Sequence, residues 1–286
     1  GKDLECARRR QDGVKWKLIC VDIDGTLLTD DKQLLPPVKR ALRKAWDQGI
    51  RIALISGRMP AGVDRVEDQL DIPCIKACTA GTYTLMDGQV LNAEYMPPDV
   101  LRKIDHTIVR KYGIPLWIFR DRQWYVTGVD DYIRREIQII GCRPEIVNGE
   151  ELARTWEAEG KGLNKLLIAA EPERLAKISQ DIQNARFKEV DTARSADTFL
   201  EIFPRGCSKG KALQSICDKL GLDMEDAVAF GDQELDLPMI RAAGLGIAMG
   251  NAIEKVKEGA DAVTKTNNEG GVAFAVEKLL SGQRIA

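Results

Sequence analysis

Short apolar runs alternate along the chain with stretches in which apolar residues recur at helical spacing. "WKLICVD", "RIALI", "DAVAFGD", "GLGIAMG" and "DAVTKT" read as strands. Between them, Val38, Ala41, Leu42, Ala45 and Trp46 share one helical face, with Gly49 placed to end that helix. Leu213, Ile216, Cys217 and Leu220 form a second such face, and Val272, Ala275, Val276, Leu279 and Leu280 a third. Strands that are apolar on both faces suit a buried parallel sheet. Their alternation with helices predicts an α/β fold with a doubly wound, Rossmann-like parallel sheet.

The middle of the chain reads differently. "DVLRKIDHTIVRKYG" and "VDDYIRREIQIIG" are helical patterns, and "PLWIFRDRQWYVTG" between them reads as a hairpin turning near Arg120 to Gln123. A strand, "LNKLLIAA", and a helix, "PERLAKISQDIQNA", follow. Strand pairs joined by short turns predict an α+β unit inserted into the α/β one. The expected division is a core of residues 1–86 and 194–286 with an inserted cap of residues 87–193.

Composition narrows the class. Forty-two Lys and Arg against 44 Asp and Glu lack the basic footprint of a nucleic-acid binder. Seven scattered cysteines without a CxxC pair predict a reducing, cytoplasmic setting with no disulfide framework. No apolar stretch approaches the roughly 20 residues of a membrane span, so no membrane role is expected. The first 17 residues lack the apolar segment of a signal peptide and read as a polar lead-in.

Ligands of an open parallel sheet bind beyond the carboxyl ends of its strands. Unusual polar chemistry gathers at such positions: Asp22-Ile23-Asp24-Gly25-Thr26, Ser56-Gly57-Arg58, Lys209 at a helix start, and Gly231-Asp232 with Asp236. Each alone reads as a turn, a cap or a solvated side chain. Together they predict a site. Residues i and i+2 of a strand point the same way, so Asp22 and Asp24 are expected to address one spot. Asp22, Asp24 and Asp232 would then repel one another unless a hard cation sat among them, and all-oxygen ligands point to Mg²⁺. With Mg²⁺ and Lys209 present the site accepts a phosphate, whose oxygens Ser56 and backbone N–H groups are placed to bind. Asp22 is the expected nucleophile, forming an aspartyl-phosphate, and Asp24 the acid/base. At the ordinary pKa of about 3.9, Asp24 would be ionised, so either its surroundings raise that value or the substrate brings a proton.

In this order the four motifs resemble those of the haloacid dehalogenase superfamily. "DIDGTLL" is similar to its nucleophile motif, "SGR" to its serine motif, Lys209 to its lysine motif and "GDQELD" to its acidic motif. The insertion resembles a type C2 cap, and the tail "GIAMGNAIEKVKEGADAVTKTNNEGGVAFAVEKLL" the Cof-type branch, subfamily IIB. The resemblance implies magnesium-dependent hydrolysis of a small phosphorylated metabolite such as a sugar phosphate. It implies Asp22 as nucleophile and metal ligand, Asp24 as acid/base and a ligand through its backbone carbonyl, and Asp232 as the third ligand. Ser56, Gly57 and Lys209 hold the phosphoryl group, with Arg58 and Asp236 in support. Two departures stand out: Leu235 and Ala80 occupy positions where the branch carries Asn. They motivate an alternative, a catalytically weakened phosphometabolite-binding regulator; a phosphomutase is the second alternative.

Other signals are weaker. "GCSKGK" is one residue short of a nucleotide P-loop, and the third glycine of "GLGIAMG" is one position late for a dinucleotide fingerprint. His106, the single histidine, reads as a surface residue, which excludes His-based triads and zinc sites. Trp117, Trp124 and Tyr125 read as packing residues of the hairpin. If the insertion closes over the cleft, Arg120 and Arg122 are expected near the substrate.

Overall fold

Strand β1 (Leu18–Val21) is apolar at every position because it lies in the middle of a large sheet covered on both faces. The computed structural model describes residues 16–285; most of the polar lead-in, with Cys6, lies outside them. Around β1 the chain lays down β2 (Arg51–Ile55), β3 (Ile75–Cys78), β4 (Tyr83–Met86) and β5 (Gln89–Ala93) on one side. On the other it lays down β12 (Ala227–Gly231), β13 (Leu245–Ala248) and β14 (Ala262–Val263). The order is β14-β13-β12-β1-β2-β3-β4-β5, parallel from β14 to β3 and antiparallel beyond it.

Alternation sorts the strand residues onto two faces. Ile19, Val21, Ile52, Leu54, Val228 and Phe230 pack with helices α1 (Pro36–Asp47) and α2 (Pro60–Leu70) and with the C-terminal helix Gly271–Leu280. Leu18, Cys20, Ala53, Ile55 and Ala229 pack instead against the helix Lys209–Leu220. This is the doubly wound α/β core.

The inserted segment supplies helix α3 (Asp99–Ile104), which continues through a π turn (Asp105–Val109) to Tyr112. It also supplies α4 (Asp131–Ile140), α5 (Gly149–Glu159), α6 (Pro172–Ala185) and a second sheet. That sheet holds β6 (Trp117–Arg120), β7 (Gln123–Val126), β8 (Glu145–Ile146), β9 (Lys165–Ala169), β10 (Val190–Ala196) and β11 (Phe199–Pro204) in the order β10-β11-β9-β6-β7-β8. One face packs on α3, α5 and α6; the other faces α4 and the large sheet's end, where Met59 joins the cluster. The chain then returns through α7 (Lys209–Leu220), α8 (Leu237–Ala242), α9 (Glu254–Gly259) and α10 (Gly271–Leu280).

Strand pairing moves the expected boundaries of 86/87 and 193/194. β5 pairs with β4 in the large sheet, and β10 and β11 pair into the second sheet. β5 is a half-exposed edge strand, and β10–β11 carry Asp191, Arg194 and Glu201, so neither shows a clean apolar run. Helix α5 also exceeds the expectation. Only Gly149, Ala153 and Trp156 are buried along it, and Asn148 caps it by accepting from the Glu151 N–H. Among the described residues no helix is long and apolar enough to cross a membrane, and the six described cysteines are free.

Gly246 of β13 lies so close to α8 that a Cβ there would sit 2.1 Å from the Ile240 carbonyl oxygen. Gly246→Ala is therefore expected to lower stability by about 1–3 kcal/mol or more, read as a drop in the urea midpoint. An unchanged midpoint contradicts the close packing of α8 on β13.

Candidate active site

β1 sits where the sheet order reverses, with β12 on one side and β2 on the other, so its carboxyl end opens onto a crevice. The strand stops at Val21, and the chain then turns sharply: Asp24 is extended and Gly25 takes φ +76°. A Cβ at Gly25 would stand 2.2 Å from Asp232 Oδ2, so only glycine lets this turn lie on that carboxylate. The N–H groups of Leu27 and Leu28 close the turn on the carbonyls of Asp22 and Ile23.

Lys209, on the first turn of α7 behind the Ser208 cap, is 1% exposed. Its Nζ donates to Asp22 Oδ1 at 2.9 Å and to Asp236 Oδ1 at 2.5 Å. The other oxygen of Asp236 accepts from the N–H groups of Asp232 and Gln233, at 2.9 and 3.0 Å. Thr26 Oγ1 donates to Asp232 Oδ1 at 3.0 Å. Ser56 and Gly57 follow β2; Ser56 Oγ accepts from the Arg58 N–H, and the Ser56 carbonyl accepts from the Ala80 N–H.

One cleft of about 500 Å³ is lined by Asp22, Asp24, Ser56, Gly57, Arg58, Lys209 and Asp236. Asp232 is buried beside Asp22 behind that lining. The expected residues thus come together, with one correction. The carboxylates of Asp22 and Asp24 do not address one spot, because the chain has left the strand before Asp24. Asp24 instead takes a two-pronged bond from Arg58, at 2.8 and 2.7 Å, and pairs with Lys32 at 3.0 Å.

Charge follows this geometry. Burial, with Asp236 nearby, pushes the Asp22 carboxyl up to about 7, although Lys209 pulls it down. Burial and the Asp22 charge push Asp232 well above the ordinary value. Burial alone would raise Asp24, but Arg58 and then Lys32 hold it well below the usual carboxylate range. The Lys209 ammonium is disfavoured by burial yet held above its ordinary range by Asp22 and Asp236.

Asp22, Asp232 and Asp236 each offer an oxygen within 4.8 Å of the others. Asp236 already serves Lys209 and two N–H groups, which leaves Asp22 and Asp232 with the free ligating capacity. Buried carboxylates this close need a shared proton or a hard cation, and their all-oxygen chemistry fits Mg²⁺.

Several contributors escaped the sequence reading. Asn251 Nδ2 donates to the Gly25 carbonyl, and Asn267 Nδ2 donates to the Leu28 carbonyl, so the tail braces the turn after β1. Lys165 of β9 donates to the Gly57 carbonyl at 2.6 Å and pairs with Glu201 at 3.3 Å. Glu136 of α4 lines the cleft, and burial together with the Asp24 charge pushes it up to about 7. The polar residues beside glycines in "MGNA" and "TNNEGG" were the available signal for the two asparagines; long-range partners such as Lys165 and Glu201 left none. His106 is exposed. Of the hairpin arginines, Arg120 binds the Gly162 carbonyl and Arg122 pairs with Asp64, and neither lines the cleft.

Leu235 and Ala80 are buried in one apolar cluster with Phe203 and Cys207. Ala80 holds φ +65°, and its N–H still serves the Ser56 carbonyl.

A family model described as haloacid dehalogenase-like hydrolase matches residues 19–276, and the chain belongs to that family. A 5-amino-6-(5-phospho-D-ribitylamino)uracil phosphatase of Bacillus subtilis is 31% identical over 270 residues, covering 93% of this chain and 97% of the relative. An HMP-PP phosphatase of Serratia proteamaculans is 30% identical over 244 residues, covering 85% and 86%. A haloacid dehalogenase-like hydrolase from Bacteroides thetaiotaomicron has a crystal structure that superposes with a TM-score of 0.78 at 27% identity, covering 93% of this chain and all of that one.

Two outcomes are expected. Because the folded-state pKa of Asp22 lies above its ordinary 3.8, the metal-free protein gains stability from a proton there at low pH and loses it as pH rises through about 4 to 7. A Mg²⁺ ion bound there would take the place of that proton, and its thermal shift is then expected to grow across this window to on the order of 5 °C at a hundredfold excess over Kd. Melts at pH 5 and pH 7.5 with and without Mg²⁺ test this; an equal or larger shift at pH 5 contradicts it. Leu235→Asn alone places an unpartnered amide in the apolar cluster and is expected to cost about 1–3 kcal/mol in urea unfolding. A neutral result would show that the cluster tolerates the family's polar residue.

Proposed function

We propose that this protein is a Mg²⁺-dependent phosphatase of small phosphomonoesters, working through an aspartyl-phosphate on Asp22. The observation that carries the reading is a buried Asp22 fixed by Lys209, beside Asp232, at the floor of a cleft large enough for a metabolite. The names of the two phosphatase relatives support the reaction class. Asp22 and Asp232, with the Asp24 backbone carbonyl, would hold Mg²⁺, which neutralises charge on the phosphate when bound.

An Asp22 oxygen attacks phosphorus, the P–O bond to the alcohol breaks, and the leaving oxygen takes up a proton. Ser56, the serine-loop backbone at Gly57 and Lys209 bind the phosphoryl oxygens. Lys209 already lies against Asp22, so it steadies the nucleophile and meets the incoming charge from one position. Asp24 starts ionised under Arg58 and Lys32. It is therefore prepared to take a proton from the water that cleaves the aspartyl-phosphate. To protonate the leaving oxygen first, Asp24 must be released by Arg58 and take up the proton that a monoanionic phosphate ester brings, and an arriving phosphate is a group that competes for a guanidinium. Asp236 positions Lys209. The second sheet with its helices acts as the cap, bounded by strand pairing near residues 94 and 205.

Purified protein assayed on a phosphomonoester panel with and without Mg²⁺ tests the reading. Asp22→Asn is expected to lower kcat by on the order of 10⁴-fold or more, and Asp24→Asn by about 10²–10⁴-fold. Retained ester binding with no turnover on any ester would support the regulator, and phosphate moved within one sugar without release the mutase.

A further inference from the structure

We propose that the leaving-group end of this cleft is built for a planar aromatic or heteroaromatic ring, making ring-bearing primary alcohol phosphates the preferred substrates over polyhydroxylated sugar phosphates. This rests on the phosphatase reading above and narrows its substrate class.

The strands of the second sheet alternate, and the face turned to the cleft differs from the one packed on α3, α5 and α6. Ile118, Leu166, Ile168 and Leu200 go to that helix layer. Trp117, Phe119, Trp124, Leu167 and Phe199 line the cleft, joined by Tyr132 of α4. The rings form a continuous wall. Phe119 and Trp124 lie nearly parallel, 4° apart in plane with centroids at 6.1 Å. Trp117 meets Phe199 edge-on at 5.4 Å, and Phe199 meets Tyr132 at 6.5 Å. Phe199 and Tyr132 are the partly exposed members, so the wall has ring surface left to offer.

Two charged side chains of the sheet, Lys165 and Glu201, interrupt this face; Lys165 is fully engaged, whereas Glu201 Oε2 has no hydrogen-bond partner among the described residues. Lys165 Nζ reaches the Gly57 carbonyl at 2.6 Å and Glu201 at 3.3 Å, and stands 4.4 Å from the centre of the Phe119 ring. Its three donor directions are thereby used. A hexose pressed against the ring faces would lose water from its hydroxyls without regaining partners from them. A flat ring loses little and gains stacking and edge contacts.

Heteroatoms would add to this. The indole N–H groups of Trp117 and Trp124 are buried and have no acceptor among the described residues. Glu136 lines the same cleft without a hydrogen-bond partner among them. A ring nitrogen, carbonyl or amino substituent is the kind of partner these groups lack.

The test compares kcat/KM, at saturating Mg²⁺, for benzyl phosphate, pyridin-3-ylmethyl phosphate, glucose 6-phosphate and glycerol 1-phosphate. All are esters of primary alcohols, so intrinsic reactivity is similar. The ring esters are expected to exceed glucose 6-phosphate by about tenfold or more. Phe199→Leu is expected to bring that ratio close to one, and Phe199→Tyr to preserve it. A hexose phosphate turned over as well as the ring esters overturns the proposal, as does a ratio indifferent to Phe199→Leu. Benzylphosphonate, which cannot be hydrolysed, separates the two readings through quenching of tryptophan fluorescence. Binding without turnover of any ester sinks the phosphatase and upholds the ring chamber. Turnover without ring preference does the reverse, and neither binding nor turnover overturns both.

Discussion

Everything at this site depends on one buried ammonium. Lys209 lies between Asp22 and Asp236, in a pocket where three carboxylates crowd within 4.8 Å. Carboxylates so placed are tolerable only with compensating charge, and one lysine cannot balance all of them. The fold pins this lysine at a helix start by close packing: a Cβ at Gly210 would stand 2.8 Å from the Pro238 carbonyl oxygen, and one at Gly81 3.0 Å from Ala212 Cβ. α7 is thus held against the Thr79–Gly81 turn after β3 on one side and α8 on the other. The residual negative charge is what makes the place suitable for a cation, and through it for a phosphate.

The parts of this arrangement that could be read from sequence were those with local signatures. Apolar runs on both faces marked the parallel strands, and helical spacing marked α1, α7 and α10. Asp22, Ser56, Lys209 and Asp232 each stood in a recognisable turn or helix start. What escaped depended on distance along the chain or on weak patterning. β10 and β11 mix charged and apolar residues, so the sequence pattern marked no strand there and the expected boundary of 193/194 fell inside β10. The divergence of Asp24 from Asp22 followed from a kink one residue past the strand, where strand periodicity no longer applies. Nothing local announced that Arg58 would be its partner, 34 residues on.

Ala80 and Leu235, far apart in the chain, meet in one place. Ala80 follows the third strand and Leu235 the acidic motif, yet both enter one cluster with Phe203 and Cys207. With both positions apolar, the cluster leaves no unpaired amide in its interior. The backbone function persists, since the Ala80 N–H still holds the Ser56 carbonyl. The left-handed turn at Ala80 carries a steric cost that Asn would bear more easily. The geometry of the serine loop is therefore maintained by main-chain bonds, with the apolar cluster beside the Ala80 turn.

Lys165 ties this loop to the inserted sheet. A Cβ at Gly57 would meet Glu201 Oε1 at 2.6 Å, so the serine loop runs directly against the Lys165–Glu201 pair. Burial lowers the proton affinity of Lys165 and raises that of Glu201, and each is offset by the charge of the other. Breaking one partner would strand the other in a dry wall. The same ammonium touches the Gly57 carbonyl and the Phe119 ring, so serine loop and aromatic wall meet at a single atom. Any movement of the inserted sheet that reshapes this wall must also pull on the serine loop. In this fold the ring-lined wall of the cleft and the serine loop beside Asp22 are mechanically coupled.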